Sequence, residues 1–283
     1  MSQVQLNLLQ GGFCSHSEKM VLRTRGRAPI AFPSMFALIQ HPIQGALLFD
    51  TGYSSHFFSA TQPFPERLYR MVTPVTLTSR ETAKVQLQQF GIQAEDIRYI
   101  LISHFHGDHV AGLRDFPRAR FVFLEQGYQT VKQLKKFQAV RIGYLADLLP
   151  ADFESRVWPL ASDSPTICQA PAPFAKAFDL FGDQSIFLIP LEGHFCGQMG
   201  ALINSQKGPV FLIADACWLR QSFERLELPH PIAMSIMHNA GQYKQDLKDI
   251  QHYAQTHPGT LIVPSHCTES IRRFQDLKAS SIS

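Results

Sequence analysis

Apolar residues fall along this chain in short runs that end at turn residues or polar clusters. Met35–Gln40, Ala46–Phe49, Tyr99–Ser103, Arg120–Leu124, Ser185–Pro190, Pro209–Ala214 and Thr260–Val263 are each rich in Ile, Val, Leu or Phe. Runs of that length and composition read as strands. Three intervening stretches carry apolar or small positions at helical spacing: Arg80–Phe90, which stops at Gly91, then Gln126–Phe137 and Gln242–His257. A glycine just beyond the last apolar position is a common helix end. Strands followed by helices recur in both halves, which predicts an α/β protein with helices covering sheet faces.

Two segments break this rhythm. Residues 54–74 are dense in Phe, Pro, Arg and Tyr, and residues 148–178 are rich in Pro, Ala and Ser. Long, weakly periodic segments of this kind are often lids or substrate loops. No internal repeat or linker divides the rest, so a single domain is expected over 1–283.

Composition narrows the partners. A chain of 283 residues with 45% hydrophobic content can bury a full core. Its 26 Lys and Arg against 23 Asp and Glu give +3, with no basic run longer than a pair. That average supplies no broad field for nucleic acid or an anionic membrane, so neither is an expected partner. The N-terminal residues lack the pattern of a signal peptide, and no run approaches the roughly 20 apolar residues of a membrane span. Five cysteines, scattered and without a CxxC pair, predict reduced thiols and a cytoplasmic setting.

Twelve histidines matter through their placement. Tyr99–Ser103 runs directly into His104, Phe105, His106, Gly107, Asp108 and His109. A single histidine is more often a satisfied polar group than a ligand. Four ligand-type residues within six positions after an apolar strand are not explained by packing, because burying them without a metal leaves costly polar groups. Alternation sends His104 and His106 toward the same side, and Gly107 permits the turn that frees Asp108 and His109 for a neighbouring position. His and Asp suit zinc and other borderline divalent metals.

This HxHxDH run after a strand resembles the hallmark of the metallo-β-lactamase superfamily. The likeness continues in Asp50-Thr51-Gly52, in Gly193-His194, in Asp215 after Phe211–Ile213, and in His266 after Leu261–Val263. It implies a four-layer αββα sandwich and two divalent metal ions, with zinc the default and iron or manganese acceptable to the same donors. His104, His106 and His194 would hold one ion, Asp108, His109 and His266 the other, and Asp215 would bridge them. Asp50 and Ser103 would support the metal-binding loop from behind. A metal-bridging hydroxide would attack an ester-type carbonyl, with Asp108 holding and passing the proton.

Within the superfamily the chain looks most like the N-acyl-homoserine lactone lactonases, through His41-Pro-x-x-Gly45 leading into Asp50-Thr51-Gly52, the early Cys14 and the aromatic segment that follows. This implies a lactone or related ester as substrate. Phe57, Phe58, Phe64 and Tyr69 would wall an acyl chain, or else fill core or a homodimer interface. Two positions depart from that branch. Trp218 stands where its pattern has Tyr, and Gln198 where it has a second His. Rival readings are a glyoxalase II-like thioesterase, a one-iron persulfide-type oxygenase, and a metal-containing binding or regulatory module with little turnover. The diiron reductases and nucleases of the superfamily are disfavoured by the missing glutamate, partner domains and basic surfaces.

Overall fold

The computed structural model describes residues 2–277. Met1 and residues 278–283 of the expected domain lie outside them. By its internal contacts the chain falls into two compact units, one formed by residues 7–16 and 29–159, the other by 2–6, 17–28 and 160–277.

Each unit is built on one mixed sheet. In the first, strands β1 (Gln5–Ser17), β2 (Pro29–His41), β3 (Gly45–Phe49), β4 (Val75–Thr76), β5 (Ile97–Leu101), β6 (Arg120–Leu124) and β7 (Val157–Leu160) lie in the order β4-β1-β2-β3-β5-β6-β7. The β2–β3 pair is antiparallel, whereas β3–β5 and β5–β6 are parallel. In the second, β8 (Ile167–Cys168), β9 (Ala177–Asp179), β10 (Ile186–Pro190), β11 (Met199–Ser205), β12 (Gly208–Ala214) and β13 (Leu261–Pro264) lie in the order β13-β12-β11-β10-β9-β8. Only β12–β13 is parallel there.

Central strands are buried almost continuously, as in the run of five from Val210 to Ala214, which is why they read as unbroken apolar stretches. An aromatic cluster of Phe105, Phe121, Phe123, Tyr128 and Phe153 fills the first unit beside β6. In the second, Tyr243, Leu247, Ile250 and Tyr253 of the helix Ala240–Thr256 pack on Ile189, Phe211 and Ile262. That helix begins where Asn239 accepts a hydrogen bond from the Gln242 N–H at 3.0 Å.

The seven expected strands are all present, and six others were not anticipated. β1 is broken in sequence by Gln10-Gly11-Gly12, because Gly11 passes so close to Gly52 that a side chain would meet its Cα at 2.8 Å. The expected helix over 80–90 is broken once, by an extended Thr82 after the short turn Ser79–Glu81; from Ala83 the chain is continuously helical to Phe90 and ends at Gly91 with φ 71°. The expected helix over 126–137 stops early, at Val131, and a second one spans Phe137–Arg141. Residues 54–74 fold into two helices, Ser55–Ala60 and Arg67–Val72. Residues 148–178 supply β7 and β8 and reach into β9, so this stretch contributes to both sheets.

The helix Ala240–Thr256 is tied to the end of β10 through Asp246, whose Oδ2 accepts the Gly193 N–H at 2.8 Å. Any side chain at Gly193 would fall on the Tyr243 backbone. Burial lifts the Asp246 carboxyl to about 6, offset in part by its bonds from Gln242 and Gly193. Because the folded value lies above the unfolded one, the stabilisation is present below about pH 4 and is lost as pH rises through about 6. Asp246→Asn keeps an acceptor for Gly193 and removes the titration. Urea unfolding at pH 4 and pH 7 is expected to show the wild type losing on the order of 2 kcal/mol relative to the variant between the two.

Candidate metal centre

Parallel pairing sets the first group of side chains. β3 and β5 run in register with Phe49 opposite Leu101, and the Asp50 N–H donates to the Leu101 carbonyl at 2.9 Å. Both strands therefore end at the same level. Asp50, at φ 58°, turns the chain in a left-handed conformation that few side chains adopt and that costs about 1–3 kcal/mol where it is enforced. Its fully buried carboxylate accepts from the Ser103 N–H at 2.8 Å, from Ser103 Oγ at 2.8 Å and from His109 Nδ1 at 2.7 Å. Burial pushes this carboxyl upward, and His109 and the Ser103 donors pull it back.

The loop beyond Ser103 gathers its donors tightly. His104 Nε2 and His106 Nδ1 lie 3.0 Å apart, and His109 Nε2 lies 3.4 Å from Asp108 Oδ2. The His104 and His109 rings are 4.0 Å apart between centroids. Backbone is fixed from the flanks: Ser34 Oγ donates to the Asp108 carbonyl at 2.8 Å, and Thr51 Oγ1 donates to the His109 carbonyl at 2.9 Å. His104, Asp108 and His109 are buried, while His106 is half-buried.

The second unit carries its own set. β12 and β13 are parallel with Ala214 opposite Pro264, and the Ser265 N–H donates to the Ala214 carbonyl at 3.1 Å. Asp215 and His266 therefore leave the sheet side by side, and Ala214 makes the turn at φ 48°. Asp215 Oδ2 lies 3.1 Å from His266 Nε2 and 3.5 Å from His194 Nε2. It also accepts the Trp218 indole N–H at 3.0 Å. His194 Nδ1 faces the Met237 sulfur at 3.2 Å, and its ring lies edge-on to Trp218.

These donors suit a divalent cation. With Asp50 at 2.7 Å the proton of neutral His109 sits on Nδ1, which leaves the Nε2 lone pair as a ligand. In the first unit, nitrogens of neighbouring imidazoles converge at 3.0 Å; in the second, two Nε2 atoms converge on one carboxylate oxygen. Donors grouped in this way could hold a divalent metal ion.

The aromatic residues of 54–74 separate by burial. Phe57 is fully buried, edge-on to Tyr53 and Tyr69. Phe57 and Tyr69 also close on Gly107, where an added Cβ would stand 3.1 Å from each ring. Phe58 is half-buried and Phe64 is exposed. Sequence reasoning missed Met237 beside His194, Asp246 beneath Gly193, and Gly143, where an added Cβ would meet the His106 ring at 2.7 Å. Each lies more than 35 residues from the histidine or glycine it touches. The glycine ending the helix Phe137–Arg141 was the one local signal.

Residues 30–124 match the Metallo-beta-lactamase superfamily domain. A "probable metallo-hydrolase" of Mycobacterium tuberculosis is 25% identical over 233 residues, covering 78% of this chain and 71% of its own. An N-acyl homoserine lactonase, AttM, of Azorhizobium caulinodans is 23% identical over 240 residues, covering 83% and 85%. Among solved structures, an N-acyl homoserine lactone hydrolase with N-hexanoyl-L-homoserine at its catalytic metal centre superimposes with a TM-score of 0.71 at 17% identity, over 96% of this chain and 97% of that one. The fold is therefore the metallo-β-lactamase fold, the expected αββα class. No helix among the described residues is long and apolar enough to cross a membrane.

Asp50→Asn tests the orientation of His109. The amide would donate to Nδ1 and move the ring proton to Nε2, and a folded variant is expected to show that tautomer by 15N NMR of the histidine ring. Asp50→Ala leaves three buried donors without their acceptor and is expected to lower stability by roughly 3 kcal/mol or more in chemical denaturation.

Proposed function

We propose that this chain, whose residues 30–124 match the metallo-β-lactamase superfamily domain, is a dinuclear metal-dependent hydrolase of that superfamily that opens a lactone. The observation that carries this reading is the preparation of imidazole nitrogens and carboxylates as ligands at strand ends, with Asp50 fixing the His109 tautomer. In this proposal the two sets act as one centre within a single domain. His104, His106 and His194 would hold one ion, Asp108, His109 and His266 would hold the second, and Asp215 would serve both. Zinc is the default, and the donor set also accepts iron or manganese. Two such cations supply an acidified water and a polarised ester carbonyl at neutral pH.

The chain's own residues do the rest. Asp108, buried beside His109, is the group that takes and returns the proton at its carboxylate. Asp50 and Ser103 keep His104 and His109 oriented through the bonds described above. Phe58 and Tyr69, both half-buried, offer an apolar wall for an acyl chain, with Phe57 packed behind them. Trp218 has a single donor, and Asp215 takes it, so the indole orients that carboxylate rather than serving a substrate carbonyl. A lactone is supported by the lactonases among the relatives. A cytoplasmic setting is supported by five cysteines, none in a disulfide.

Protein purified without added metal or chelator is expected to carry close to two equivalents of zinc per chain by elemental analysis. Removing the metal should abolish turnover of N-acyl-homoserine lactones, and restoring it should recover the activity. Asp108→Ala and His106→Ala should each lower kcat/KM by on the order of a hundredfold or more. One equivalent of iron would move the reading to an oxygenase. Turnover of thioesters but not lactones would move it to a glyoxalase II-like enzyme.

A further inference from the structure

Four large apolar side chains stand in water on two segments of the first unit: Phe64 (66% exposed), Met71 (68%), Val72 (69%) and Phe137 (57%). The Phe64 and Phe137 rings meet edge to face at 5.4 Å, which joins the segments into one surface. Clustered exposure of this kind marks an interaction surface, whereas isolated exposed apolar residues do not.

The charges around it are lopsided. Residues 62–72 and 132–141 contain Arg67, Arg70, Lys132, Lys135, Lys136 and Arg141 against one carboxylate, Glu66. Five of these cations are exposed and Arg70 is half-buried. The surplus of five exceeds the +3 of the whole chain, so the remainder of the molecule is net acidic. A near-neutral average thus conceals a concentration of cations on the same two segments that carry the exposed apolar side chains. Lys136, at φ 50°, makes the turn from which the exposed Phe137 begins its helix.

We propose that this surface docks on an anionic phospholipid bilayer. Aromatic and aliphatic side chains entering the headgroup boundary, with lysine and arginine beside them, are what such binding requires. A second copy of the chain would bring two such concentrations of cations together. A polyanion without hydrocarbon would leave the four apolar side chains in water. The first segment touches the loop His104–His109 where Tyr69 packs at Gly107, and Gly143, two residues past the second, lies against the His106 ring. Docking would set this loop close to the membrane surface, where amphiphilic molecules concentrate. The inference does not depend on which reaction the centre performs.

The test is co-sedimentation of the full chain with phosphatidylcholine vesicles, with and without phosphatidylglycerol. Binding is expected to the phosphatidylglycerol vesicles and to fall as salt rises. Each lysine removed near an anionic surface weakens partitioning by about fivefold, so Lys135→Gln with Lys136→Gln is expected to weaken it by about 25-fold. Phe137→Ser with Met71→Ser should also release the protein, with an unchanged thermal melt showing that it remains folded. The proposal is overturned by no sedimentation with either vesicle, by equal binding to both, or by binding that these variants leave unchanged. It is equally overturned if sedimentation velocity shows a dimer that Phe137→Ser dissociates, or if heparin is bound and vesicles are not.

Discussion

One buried carboxylate organises the loop His104–His109 of the first unit. Asp50 sits at the end of β3 in a left-handed conformation, away from water, and accepts three hydrogen bonds from Ser103 and His109. In a low-dielectric interior each of those bonds is strong, and each would be expensive to leave unmade. The strand pairing delivers the carboxylate to Ser103. Ser103 then fixes the start of the loop, and His109 is oriented at its far end. Positions of the other donors follow from these two anchors.

The two units hold their histidines by unequal means. His109 has a carboxylate behind it, which fixes the tautomer and raises the basicity of the other nitrogen. His194 has the Met237 sulfur behind it, a weak acceptor that leaves the ring's proton less firmly placed. Asp215 is meanwhile shared among His194, His266 and the Trp218 indole, so its charge is already partly spoken for.

Much of this was legible in the sequence, for an identifiable reason. The candidate metal-binding residues lie at or just beyond strands whose apolar runs are themselves diagnostic, as in Tyr99–Ser103 before His104 and Phe211–Ile213 before Asp215. Asp50 was legible because its turn carries the glycine that the geometry needs. β1 and β11 were not, since their apolar positions are interrupted by glycines that admit neighbouring backbone, Gly11 against Gly52 and Gly200 against Leu212. Tertiary neighbours such as Met237 and Asp246 left no local trace, because their roles arise only when distant segments pack. The surplus of cations was hidden for another reason: summing charge over the chain erased its concentration on two segments.

The parallel pairing of β12 with β13 has a consequence for how the gene can change length. Asp215 and His266 are neighbours because Ala214 stands opposite Pro264, whatever the chain does between them. Residues can be gained or lost in the intervening loops without moving either side chain. Deleting one residue inside Leu261–Pro264 is a different event. It would shift His266 by about 3.3 Å along the strand and turn its side chain to the opposite face. Insertions and deletions in descendants of this chain should therefore collect between these strands and be absent from within them.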